Sequence, residues 1–166
     1  MPDDTPVFEP NVSAANDADL PDVRTLLRAY AASLAFPLAF QGFDRELAEL
    51  PGTYAPPNGA LLIARAGEAA AGCVALRPLD DRACELKRLY VHPAYRGGGL
   101  GRLLAAAILD EARRAGYRRV RLDTVPGMEA AQALYLQLGF REIAPYTANP
   151  VEGTRFLELE LEIEDR

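Results

Sequence analysis

Arg96-Gly97-Gly98-Gly99-Leu100-Gly101 joins an apolar-aromatic run, Leu86 to Val91, and the His92-Pro93 turn to a long apolar stretch that begins at Leu100. Glycine immediately before a helix lowers local order, so its repetition here points to a backbone that must approach something closely. The first turn of a helix presents unpaired N–H groups and the positive end of the helix dipole. With no β-carbons at 97, 98, 99 and 101, phosphate oxygens can reach those N–H groups, and Arg96 adds a positive charge. The ligand expected is an anion, in the first place a pyrophosphate.

Two familiar phosphate loops do not fit. A Walker loop needs a glycine-lysine pair that the chain lacks, and a dinucleotide G-x-G-x-x-[GA] started at Gly97 meets Arg102 at its last position. What remains is Arg-x-x-Gly-x-Gly between a strand and a helix. Other chemistry is narrowed by what is scarce. His92 is the only histidine, which leaves neither a zinc site of His and Cys ligands nor a Ser-His or Cys-His pair unless that residue supplies it. In a His-Pro turn it reads as turn filler. Cys73 and Cys84 sit in apolar runs without metal or redox spacing and read as buried residues of a reducing compartment.

The elements that must hold these residues follow from periodicity. From a cap at Asn16 or Asp17, Leu20, Val23, Leu26, Leu27, Tyr30, Ala31 and Leu34 recur at helical spacing. Residues 36–59 are aromatic and proline-rich, with one short helix near 44–50. Strands are expected at 60–66 and 70–77 about a turn at Gly67-Glu68, and a third, antiparallel to the second, over "ACELKRLYV". Leu100, Leu103, Leu104, Ala107, Ile108 and Ala112 trace a helix ending at Gly116, with Arg113 and Arg114 suited to its C-terminal end. A strand at 117–125, a helix at 128–138 and strands at 140–144 and 155–162 complete the order β-α-β-β-β-α-β-α-β-β. That is an α/β chain with a mixed sheet and helices on its faces. Within the third strand Cys84 and Leu86 share one parity and Leu89 and Val91 the other, so the apolar phase changes near Arg88, as a β-bulge requires.

"ELKRLYVHPAYRGGGLGRLLAAAIL" closely resembles motif A of the GCN5-related N-acetyltransferases, the GNAT superfamily, and "RLDTVPGMEAAQALYLQLGF" resembles the strand and helix that follow in that family. The two motifs span about residues 60–144 in the family's order and spacing. The resemblance implies the acyl-CoA N-acyltransferase fold. It implies acetyl-CoA as cosubstrate, its pyrophosphate on Arg96, Gly97, Gly98, Gly99, Leu100 and Gly101 and its pantetheine along Leu89, Tyr90 and Val91. The acetyl group then passes directly to a primary amine of a small molecule or peptide, a non-catalytic acyl-CoA sensor being the alternative.

Two residues are matched to catalytic positions. An amine with a pKa near 10.4 is almost entirely protonated at neutral pH, so its proton must be accepted. Glu85 occupies the strand position at which several members use a glutamate, directly or through water. Tyr135 matches the family's tyrosine acid, which protonates the departing thiolate. Met128 departs from the pattern, since it stands where the family often has an asparagine that contacts the cofactor. Acceptor specificity in this fold lies in the first helices and the last hairpin, here with Tyr30, Phe36, Phe40, Tyr54 and Tyr146 as lining candidates.

Length and charge set the remaining bounds. The 166 residues, 49% hydrophobic, fit a single domain, with residues 1–6 as a disordered tail. No apolar run reaches the roughly 20 residues of a membrane span, and the N-terminus lacks a signal-peptide pattern, so the expected location is the cytoplasm. A net charge of −6 opposes general nucleic-acid binding. Family members often dimerise, but no residue here marks an interface.

Overall fold

The computed structural model describes residues 9–34, 37–38 and 42–162; the expected tail and the candidates Phe36 and Phe40 lie outside the described residues. Seven strands form one sheet in the order β1-β2-β3-β4-β5-β7-β6. They are β1 (Asn11–Ala14), β2 (Ala60–Ala66), β3 (Ala69–Pro78), β4 (Ala83–Val91), β5 (Arg119–Thr124), β6 (Arg141–Ile143) and β7 (Arg155–Glu160), with helices α1 (Leu20–Ser33), α2 (Phe43–Glu49), α3 (Leu100–Arg114) and α4 (Glu129–Gln137) between them. This is the expected element order and the expected mixed sheet. The short helix near 44–50 is α2.

Strand alternation divides the sheet's side chains between two cores. On one face Leu62, Val74, Cys84 and Leu86 pack with Leu104 and Ile108 of α3. On the other, Ile63, Cys73 and Ala75 pack with Val23 and Leu27 of α1 and Leu47 of α2. α3 buries Leu100, Leu104, Ala105, Ile108, Leu109 and Ala112, which is the period of a helix with one face on a sheet. Asn16 caps the 3-10 turn Asp17–Asp19 that leads into α1 by a reciprocal pair with Asp19: its side-chain oxygen accepts from the Asp19 N–H at 3.1 Å, and its own N–H donates to the Asp19 carboxylate at 2.9 Å. No described helix is long and apolar enough to cross a membrane.

The irregular part of the sheet is its centre. β4 pairs with β3 antiparallel, but the register skips between Cys73↔Tyr90 and Ala75↔Lys87, leaving an extra residue in β4. Arg88, at φ 62°, is the only non-glycine residue with positive φ among those described. This is the bulge that the parity change predicted. On its other edge β4 pairs in parallel with β5 only through Ala83↔Arg119, Cys84↔Val120 and Glu85↔Arg121. Beyond Glu85 and Arg121 the two strands separate, β5 turning its other edge to β7 as far as Thr124↔Arg155. The sheet is splayed at the middle.

Candidate active site

The splay forms a cleft walled by β4 residues Leu86 to Leu89, β5 residues Asp123 and Thr124, Tyr30 of α1, Tyr135 of α4 and Asn149 of the loop between β6 and β7. Side-chain parity gives the cleft two sides. Before the bulge Leu86 faces α3; after it Leu89 and Val91 do. Lys87 and Arg88, consecutive in the chain, therefore both face α1 and α2. On β5, Val120, Leu122 and Thr124 are buried toward α3 and α4, while Arg121 and Asp123 point the other way.

On the α3 side the glycine loop is open. Gly97 and Gly99 adopt φ 90° and 81°, a conformation that glycine holds without strain, and a β-carbon at Gly97, Gly98 or Gly99 would meet no atom within 4 Å. No side chain caps α3, so the N–H groups of its first turn remain available to an anion. Arg96 donates from Nε to the Val91 carbonyl at 2.9 Å, and its guanidinium lies 5.6 Å over the Tyr90 ring. These contacts fix it beside the loop while its remaining N–H donors are free to meet a phosphate. The residues present fit the pyrophosphate of a coenzyme A thioester. His92 is exposed, and its Nδ1 accepts the Ala94 N–H at 3.1 Å, a turn-capping role.

Tyr135 packs against Phe140 with ring centroids 5.6 Å apart and is 6% exposed, yet its hydroxyl makes no hydrogen bond among the described residues. Burial pushes its phenol well above the ordinary 10.0, so it holds its proton at neutral pH. A protonated hydroxyl on the cleft wall is what an acid needs.

Glu85 lies on the α1 and α2 side of β4 and is only 1% exposed. Its carboxylate accepts from Arg77 Nε at 2.7 Å and from the Tyr146 hydroxyl at 2.5 Å, with Lys87 Nζ at 3.6 Å. Burial alone would raise its pKa, but Lys87, Tyr146 and Arg77 together outweigh that and hold it below the usual carboxylate value. Burial in turn lowers the Lys87 ammonium's pKa despite the Glu85 charge beside it. Glu85 is thus an ionised carboxylate enclosed by its partners. The carboxylate on the cleft wall itself is Asp123, which accepts from Asn149 Nδ2 at 3.1 Å.

Asp123, Thr124 and Asn149 were not singled out in the sequence; Asp123 carries the alternation signal of a solvent-facing strand residue, and nothing local marks Asn149. Of the aromatic candidates, Tyr30 lines the cleft, Tyr146 bonds Glu85, and Tyr54 belongs to the core. Cys84 and Glu85 point to opposite faces as expected, and burial pushes both thiols, Cys73 and Cys84, up to about 12. Among the described residues no group of three or more His, Cys, Asp or Glu could hold a metal ion.

A parted central strand pair, an open glycine loop on one side and a protonated tyrosine and carboxylates around the gap define an acyl-transferring fold. The Acetyltransferase (GNAT) family matches residues 23–140. An uncharacterised N-acetyltransferase of Schizosaccharomyces pombe is 39% identical over 145 residues, covering 86% of this chain and 89% of the relative. In fold, the chain is similar to a putative acetyltransferase of Salmonella typhimurium solved with acetyl-CoA (TM-score 0.68, 22% identity, 92% and 94% of the two chains). It is likewise similar to the ribosomal-protein-S18-alanine N-acetyltransferase of Escherichia coli (TM-score 0.70, 21% identity, 95% and 97%). The chain belongs to the GNAT family and is an acetyl-CoA-dependent acyltransferase.

Proposed function

We propose that this protein is a single-domain N-acetyltransferase that passes the acetyl group of acetyl-CoA directly to a primary amine of a small molecule or peptide, without a covalent enzyme intermediate. The observation that carries the reading is the two-sided gap between β4 and β5. One side leads to the glycine loop at the start of α3, the other to carboxylates beneath α1 and α2. Bound acetyl-CoA supplies a thioester whose carbonyl carbon is open to an amine. The loop Arg96 to Gly101 holds the pyrophosphate, and the edge Leu89 to Val91, left without a β5 partner, pairs with the pantetheine arm.

Asp123, on the acceptor side of the cleft wall, attracts the ammonium form of the acceptor and takes its proton as attack begins. A second route is favoured by the 2.5 Å bond from Tyr146 to Glu85, which links the enclosed carboxylate to the last hairpin. The Tyr146 hydroxyl gives its proton to Glu85 as it receives one from the amine. Tyr135 protonates the leaving thiolate. The high pKa of both thiols and their burial support direct transfer over a cysteine acyl-enzyme.

Acceptors of the peptide type draw support from the fold's likeness to an enzyme named for the alanine of a ribosomal protein. The reduced cysteines fit a cytoplasmic setting. Thiol release from acetyl-CoA, followed across small polyamines, amino acids and peptide N-termini, tests the assignment. Amine-dependent release by at least one class is expected. A protein that is stabilised by acetyl-CoA but releases no thiol with any amine overturns it.

A further inference from the structure

Thr124 is 3% exposed, and its Oγ1 is the only side-chain nitrogen or oxygen among the described residues that is itself fully covered and lacks a hydrogen-bond partner. A hydroxyl left in that state is unfavourable, so nearly all buried hydroxyls are paired. Thr124 itself lines the wall of the cleft, with the hydroxyl covered in the free protein. The strand offers it nothing, because β5 has left β4 three residues earlier, at Arg121, and its backbone is paired to β7 on the far edge.

Parity decides which substrate it meets. Thr124 shares the face of Val120 and Leu122, toward α3 and α4, where Tyr135 and the glycine loop lie; Asp123 faces the acceptor side. Resting on the acyl-CoA reading above, we propose that the Thr124 hydroxyl is a binding residue for the pantetheine arm, pairing with one of its amides inside the gap. A hydroxyl donates and accepts, which suits a secondary amide that offers both an N–H and a carbonyl. A bound arm satisfies in the complex the one fully covered polar side-chain atom that the free protein leaves unpaired among the described residues.

Three variants and two ligands test this. Thr124→Val keeps the shape and removes the hydroxyl, and Thr124→Ser restores it. Without ligand, Thr124→Val is expected to melt no lower than the wild type, since it deletes an unpaired polar group; a hydroxyl needed for folding would give a lower Tm and overturn the proposal. With ligand, Thr124→Val is expected to bind acetyl-CoA and free CoA about 3- to 10-fold more weakly, with KM for acetyl-CoA rising and kcat nearly kept, and Thr124→Ser to recover most of the loss. Equal affinities in wild type and Thr124→Val overturn the assignment while leaving the acyltransferase reading intact. A loss with acetyl-CoA but not with CoA overturns the arm contact and moves it to the acyl group. A wild type that binds neither ligand, with Gly99→Glu in the loop as the comparison, removes both readings together.

Discussion

Around the thioester the roles separate by burial and pairing more than by residue type. Tyr135 has a raised pKa and no hydrogen-bond partner among the described residues, so replacing it with Phe keeps the packing against Phe140 and removes only the hydroxyl proposed as the acid. Tyr135→Phe is expected to lower kcat about tenfold or more while leaving KM for acetyl-CoA within about twofold, read by thiol release. Glu85 and Asp123 separate in a different way. Glu85 is tied to Arg77, Lys87 and Tyr146, and its folded-state pKa lies below its ordinary 4.5. It therefore contributes stability that is full above about pH 4.5 and lost as pH falls through the depressed value. Glu85→Gln is expected to lower stability at neutral pH and to flatten the acid limb of a plot of unfolding free energy against pH. Asp123→Asn, at a partly exposed site with one amide partner, leaves stability nearly unchanged and lowers kcat. Denaturant unfolding from pH 3 to 7, set beside kcat for both variants, checks the division; an Asp123→Asn enzyme with full turnover would give the base to Glu85 and Tyr146.

At the level of the elements, the bulge is held open from the acceptor side. Arg88 occupies a left-handed conformation inside a strand, which costs on the order of 1–3 kcal/mol. Its guanidinium donates to both Glu46 oxygens at 2.9 Å and lies 5.2 Å over Phe43 and 5.9 Å over Tyr30. α2 and α1 thus clamp the residue that carries the bulge, next to the edge proposed for the cofactor. Glu46→Ala strands a buried guanidinium and is expected to cost about 3 kcal/mol in urea unfolding and to raise KM for acetyl-CoA, although Glu46 is on the opposite face from the glycine loop. A change in stability without a change in KM would separate the clamp from the cofactor edge. How much of this was readable in advance is a matter of range. The bulge announced itself as a parity change between Leu86 and Leu89, a local signal, and the loop as a run of glycines. The clamp joins residues 42 positions apart, and the Tyr146 to Glu85 bond joins residues 61 apart. Asn149 reaches the cleft only because β7 inserts between β5 and β6, a strand order that no local pattern encodes.

As a whole the molecule is one sheet carrying two cores that meet at the splay, and each core contains one cysteine. Cys84 belongs to the α3 side and Cys73 to the α1 side, both fully buried. With the thiols pushed up to about 12, neither reacts in the closed protein, and alkylation reports opening of its own core. Because β3 and β4 contribute to both cores, they are expected to open together, so the two cysteines should be labelled at equal rates under native conditions. Acetyl-CoA at about 100 times its Kd should slow both by about 100-fold, since the ligand binds only the closed sheet and β4, along which it is proposed to lie, contributes to both cores. Residue-resolved labelling by mass spectrometry measures this directly. If Cys73 is labelled well before Cys84, and acetyl-CoA protects only Cys84, then α1 and α2 form a separately opening cover, and acceptor entry proceeds by displacement of those helices while the cosubstrate side stays folded.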